Sequence, residues 1–408
     1  MAMKQTQTKF FDFADVGLDF CAGSKNLFPD RFKKMLALGY NKQTVSSVAV
    51  AGNQVTFTYG GTHGYVADRV LKVSAPELLN INDGEFVIDS VTANTVTMTI
   101  DGAPTFIVGN FTTKVASLGW ELEYENANIH VYKFKQLDES NIYIRFCFQD
   151  VATRRNAIAP CVGKTFDQLT GFITDPDAYF QNAQVVSPGS DLKFDFDWGS
   201  SASSSRNDWT YTQGSSSYGK AHALGSKYHL AILTNCYTGD GSGVISAVLP
   251  SLCIDNEKLQ YPVLIGKVTG ITTSISSNAL QVTQALIGNI SVAFDSSSSN
   301  TTSDYIFKTP QAATSSISAE LDIFNTTTAQ PIFIYEKTTR QHLGVLLGAF
   351  IAKYSSTNAP SLSANSSPFT TKDIDLDNSI CIHHISTGSA ASQAAYMAFP
   401  LEEVKIVS

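Results

Sequence analysis

Two short stretches constrain this chain more than anything else in it. Val55, Phe57 and Tyr59 alternate with Thr56 and Thr58, and Val96, Met98 and Ile100 alternate with Thr95, Thr97 and Thr99. Side chains of a β-strand point to opposite faces with a period of two, so each stretch opposes an apolar face to a threonine face. That is the pattern of an antiparallel sheet with one wet side. Gly52-Asn53 separates the first stretch from Val48 and Val50, and Thr92-Ala93-Asn94 separates the second from Phe86 and Ile88. Such turns between alternating runs predict hairpins. Residues 43–113 are therefore expected to form a small barrel or sandwich.

The same logic runs on. Trp120, Leu122 and Tyr124 alternate with Glu121, Glu123 and Glu125. Strands are expected at 129–134, 142–148, 228–233 and 331–335, and the apolar stretch 343–352 reads as a core strand or a short buried helix. One helix signal stands out: Pro29 and Asp30 suit a first turn, Phe32, Met35 and Leu36 share a face, and Gly39 supplies a stop. This helix is expected to close one end of the β module. The predicted fold class is mainly β, several antiparallel β-sandwich or barrel modules with a short N-terminal helix. The expected organisation is an N-terminal arm (1–23), a small β module (24–115), a central β domain (116–268) and a C-terminal β-rich domain (269–408). The last boundary follows a shift to Ser, Thr and Asn near residue 268. No fixed-period repeat of the solenoid kind is present.

Composition narrows the partners. Charged residues are 16% of the chain, against roughly 25% in soluble proteins generally. Ser, Thr, Asn and Gly take their place, which suits strand surfaces and turns. The net charge of −8 and the lack of a clustered basic footprint argue against nucleic acid. The six cysteines are scattered without a C-x-x-C pair; Cys147 and Cys253 sit in apolar surroundings and are expected to be buried free thiols of a cytoplasmically made chain. The N-terminus shows no export signal, and no apolar run approaches the roughly 20 residues of a membrane helix, so no membrane insertion is expected.

Candidate chemistry is sparse. Gly239-Asp240-Gly241-Ser242-Gly243 lacks phosphate-loop spacing and reads as a turn. Asp373, Asp375 and Asp377 resemble the start of a calcium loop, but Asn378 and His384 stand where that loop needs glycine and glutamate. Asp195 and Asp197 share a strand face, whereas paired glycosidase carboxylates usually come from different strands. His383 and His384 are adjacent and point to opposite faces of a strand. No serine or cysteine stands beside a convincing base. No catalytic, cofactor or metal residue is assigned, and the chain is expected not to be an enzyme. Glu121, Glu123 and Glu125 call for a cross-strand lysine or a basic neighbour, or else mark a charge-protected edge.

The candidates for anchors or interfaces are aromatic. Phe10, Phe11 and Phe13 lie in an opening segment that either packs on its own domain or docks onto a partner. Trp120, Trp198 and Trp209 join them, the last two within a Ser/Gly-rich stretch (198–219) that also carries Tyr211 and Tyr218 and is expected to be an ordered surface loop.

Several pieces in fixed order resemble virion structural proteins of tailed phages. They are Leu-Gly-Tyr-Asn-Lys-Gln-Thr-Val-Ser-Ser-Val-Ala-Val at 38–50, Gly61-Thr62-His63-Gly64-Tyr65, Leu79-Asn80 and Gly84-Glu85-Phe86-Val87-Ile88 with Ser90-Val91-Thr92. Leu118-Gly119-Trp120-Glu121, Val131-Tyr132, Tyr143-Ile144-Arg145 with Asp150 and Arg155, Trp198 with Arg206 and Trp209, and Tyr228-His229-Leu230 complete the set. The resemblance covers roughly residues 24–265; the C-terminal third departs from it, and 33–38 is more basic than the pattern. It implies a structural component of the virion, of the tail or baseplate, made in the host cytoplasm. The implied partners are copies of the chain and other virion proteins, with no cofactor and no motif for chemistry. The tryptophans would serve as anchors, with Gly84 and Gly119 at backbone bends. The alternatives are a receptor-binding module of the tail whose aromatic loop stacks on host surface glycan, a head, neck or decoration protein, and a glycan-degrading enzyme.

Overall fold

The computed structural model describes residues 6–21, 23–150, 157–189, 192–196, 209–213, 221–235, 243–267, 283–294, 330–352, 369–372, 379–386 and 394–401. Within them the chain is mostly antiparallel β, arranged as three sheets.

The opening strand, β1 (Lys9–Asp12), leads to a short helix, α1 (Phe28–Lys33). Pro29 lies in its first turn beside Asp30. The helix continues into a wider π-helical turn at Lys34–Leu38, which ends where the Gly39 N–H donates to Lys34 O at 2.8 Å. Gly39 sits at φ 74°, and a Cβ there would run into the Val115 carbonyl. A side chain is excluded twice over, by backbone conformation and by space.

The alternating stretches then build the expected small barrel. Its strands are β2 (Tyr40–Ala51), β3 (Gln54–Tyr59), β4 (Val70–Ser74), β5 (Glu85–Val87), β6 (Ser90–Val91), β7 (Thr95–Thr99) and β8 (Thr112–Val115), in the order β5-β4-β8-β2-β3-β7-β6. β5 and β6 lie at the two ends of that order, yet they are parts of one bent run. The Ile88 N–H donates to Arg69 O at 2.8 Å on one side, and the Asp89 N–H to Thr97 O at 3.0 Å on the other. That run closes the barrel, which removes its open edges. Val55, Phe57, Val96 and Met98 fill the interior, while Thr56 and Thr97 hydrogen-bond to each other at 3.0 Å.

The second sheet runs β13-β12-β11-β10-β9, from β9 (Glu121–Asn126), β10 (Ile129–Lys135), β11 (Asn141–Phe148), β12 (Ala157–Gly163) and β13 (Phe194–Asp195). α1 packs its phenylalanines here: Phe32 meets Phe146 and Phe148 at 5.9 and 5.6 Å, and Phe28 meets Phe196 at 5.2 Å. The Met35 and Leu36 carbonyls, just beyond α1, accept the Leu118 and Trp120 N–H groups at 2.9 and 3.0 Å. The helix thus ties the barrel's exit to the second sheet.

The third sheet takes β1 at one end, then β14 (Ala221–Ser226), β15 (His229–Asn235) and β16 (Gly243–Leu249), with the short β17 (Ser251–Cys253) off the main path. It continues through β18 (Val263–Lys267), β19 (Thr283–Ile287), β20 (Ile290–Ala293), β21 (Gln330–Glu336) and β22 (His342–Ala352) to β25 (Ala394–Pro400), β24 (Ser379–Ser386) and β23 (Phe369–Lys372). The stretch 343–352 is thereby a strand. The sheet doubles over, since His383 on β24 reaches the Val244 carbonyl of β16 at 2.9 Å. One hydrophobic core runs from the barrel through all three sheets.

Candidate functional site

The opening aromatic segment is built into this core. β1 pairs with β14 from Lys9 opposite Gly225 to Asp12 opposite His222. Phe10, Phe11 and Phe13 are 6%, 1% and 0% exposed, so the chain's own residues already cover them and they present no docking face. Two buried ion pairs fasten the segment to the barrel. Lys9 Nζ meets Glu85 at 2.6 Å. Arg69 donates to both oxygens of Asp15, at 2.7 and 3.0 Å, and the Tyr40 hydroxyl donates to the same carboxylate at 2.7 Å. Burial works against the Arg69 charge, but Asp15 beside it more than offsets that and holds the guanidinium above its usual range.

Trp120 is also an internal anchor. Its indole N–H donates to Ser226 O at 2.9 Å, and its ring stacks on Phe134 at 4.6 Å. A Trp120→Phe variant keeps most of the packing and loses that hydrogen bond, so its expected cost is about 1 kcal/mol, read as a lower urea midpoint at unchanged slope. Gly119 before it has φ 87°, and Gly84 follows Asp83 at φ 57°, so both sit at bends. Trp209 is half-buried, with its carbonyl accepting from Ser24 Oγ, and the next N–H but one, that of Tyr211, donates to Asp19 at 3.2 Å. The 209–213 segment thus rests on Asp19 and Ser24. Trp198, Tyr218 and the rest of the aromatic loop lie outside the described residues, as do Asp197, the 239–242 glycine run and the Asp373–Asp375–Asp377 array.

Two of the three glutamates of β9 share a cross-strand lysine, and the third meets a lysine of α1. Lys133 meets Glu121 at 2.6 Å and Glu123 at 2.8 Å, while Lys33 takes Glu125 at 2.6 Å. The double contact at Lys133 follows a bulge: Val131 faces Tyr124 and Tyr132 faces Leu122, which leaves Glu123 as the extra residue. β9 is the outer strand of its sheet, so the charges also protect an edge. Asp195 is fully buried, with Lys267 Nζ at 2.8 Å. That carboxylate is the counter-ion of a buried lysine.

Among the histidines, burial lowers His130 and His229 to about 4. Among the thiols, Cys147 is buried and pushed up to about 11 by that burial. Cys253 departs from expectation: it is only half-buried, because it stands on the three-residue strand β17 at a margin of the third sheet.

That margin holds what the sequence did not single out. Leu252 of β17 faces Val345 of β22, which faces Phe333 of β21. These three side chains form one row across three strands, with Leu252 53% and Phe333 48% exposed. Ile254 extends the row at 48% exposed, and His342 packs against Phe333 and Tyr335 at 5.8 and 5.5 Å. Beside it an open groove of about 840 Å³ runs to the β10–β11 turn, lined by Glu139, Lys164, Leu252 and Tyr261 among others. Two of the groove's charges are engaged within the chain. Glu139 binds Lys227 at 2.8 Å and the Tyr228 hydroxyl, and Lys164 sits 4.6 Å over the Tyr261 ring.

No family model matches the sequence, and no curated protein matches it. Among solved structures, the chain is similar to a phage phi92 endosialidase at 9% identity and a TM-score of 0.16, with 90% of this chain and 52% of that one covered. The chain spans about half of that protein's length, and a likeness this slight carries no argument about fold or activity.

Proposed function

We propose that the chain is a structural component of a tailed-phage virion, at the tail or baseplate, and that it works by assembly with neighbouring virion proteins rather than by chemistry. The observation that carries this reading is the outward apolar row of Leu252, Val345 and Phe333, contiguous across three strands of one sheet. A closed barrel and a charge-protected β9 limit non-specific pairing, while a contiguous exposed apolar row on a sheet face suits a protein contact. The resemblance at residues 24–265 supports the same reading, since it falls on the barrel, the second sheet and the start of the third. The commitment of Asp195 to Lys267 supports a non-catalytic role for that carboxylate.

The test is genetic. Phage unable to make this protein should yield particles with incomplete tails, and supplying the intact chain in trans should restore them. Fully infectious particles without it would refute the proposal. Deleting residues 1–20 is the wrong variant for this purpose, because it removes Phe10, Phe11, Phe13 and Asp15 from the core.

A further inference from the structure

We infer that the Leu252–Val345–Phe333 row is the contact with a second copy of this chain, packed face to face about a two-fold axis along the strands. The inference rests on the assembly reading above and names the surface that would serve it.

The row belongs to an antiparallel sheet whose other face is buried through Ile332, Ile334 and Leu346. A second sheet laid on it at the usual spacing of about 10 Å would complete a sandwich. The lateral order is β17, β22, β21. Asp255 and Glu257 follow β17, and Lys337 and Arg340 lie in the turn from β21 to β22. Both groups stand at the same end of the strands, because Cys253 pairs with Gly344 and Tyr335 with His342.

A two-fold axis parallel to β22 keeps that end in place and exchanges the two margins. Each copy's Asp255 and Glu257 would then approach the other's Lys337 and Arg340. The isologous contact repeats this match twice. Lys258 and Glu336 each take one charge from their own side, which leaves one net acidic charge facing one net basic charge in each of the two matches. Opposite charges at the rim of an apolar patch fix which way the copies meet.

Sedimentation equilibrium of the purified full chain tests this across a dilution series. The wild type should self-associate, and Phe333→Glu should weaken that by about thirtyfold, as expected for a central aromatic anchor. Phe333 is half exposed, so the variant should keep the wild-type circular dichroism and melting temperature. The mixing experiment is more specific. An Asp255→Lys/Glu257→Lys chain and a Lys337→Glu/Arg340→Glu chain should each associate poorly alone, and mixing them should restore the pair. A monomeric wild type, Phe333→Glu association equal to wild type, or no restoration on mixing would overturn the inference. A chain that pairs through this row yet is missing from particles would sink the virion reading and leave the interface standing. A monomeric chain found in tails would do the reverse.

Discussion

Replacing Arg69 with methionine lowers the stability of the folded chain by about 3–5 kcal/mol, the usual cost of leaving a buried charge without its partner. Asp15 and Arg69 are both 6% exposed. With the guanidinium gone, Asp15 keeps only weaker partners such as the Tyr40 hydroxyl. The loss falls where the opening segment meets the barrel, and Phe10, whose ring lies 4.8 Å from the Arg69 guanidinium, loses a neighbour as well. Removing both charges, as Asp15→Leu/Arg69→Met, should cost less than the sum of the single changes. Urea denaturation of the four proteins of this cycle measures it. A single-variant cost under about 1 kcal/mol would mean the pair is solvated, as surface ion pairs are.

Acid should weaken the fold through two buried histidines. His130 and His229 stay neutral in the folded chain down to about 4, because burial disfavours their charged forms, whereas the unfolded chain protonates them near 6.5. Below that value the unfolded state binds more protons, so stability falls as pH drops through the window from about 6.5 to about 4. From pH 7 to pH 5 each histidine should cost about 2 kcal/mol, or about 4 kcal/mol together. Asp12 and Glu336 are held below the ordinary carboxylate range and remain charged over that interval. Burial opposes this in both, and His222 beside Asp12 and the Thr338 and Thr339 donors around Glu336 outweigh it. Urea midpoints at the two pH values give the result, and His229→Gln should flatten the dependence. A stability unchanged between pH 7 and pH 5 would show that these rings are not buried in neutral form.

The barrel was legible because its strands carry a period of two with a different residue type on each face. Val55, Phe57, Val96 and Met98 could only face inward, and Gly52-Asn53 fixed the first hairpin. The helix was legible in its start and stop, although nothing in Lys34–Leu38 announced a π-helical turn. The third sheet was harder. Strands buried on both faces, such as β16 and β18, carry no alternation that separates strand from buried helix. The same lack of alternation hid the exposed row. Phe333 sits in Ile-Phe-Ile-Tyr and Leu252 in Ser-Leu-Cys-Ile, where apolar residues occupy both faces and their spacing cannot tell the covered face from the open one. Nor could spacing reveal that Asp195 answers Lys267, or that Asp15 answers Arg69, since these partners are 72 and 54 residues apart.

The proposed role requires this chain to be held at one fixed place in a phage tail by its neighbours. Attaching an electron-dense tag to the protein and imaging intact particles by cryo-electron microscopy tests that directly. Tag density should stand at one constant position along the tail in every particle. Purified, infectious particles bearing no tag, or tags scattered without a fixed site, would contradict it.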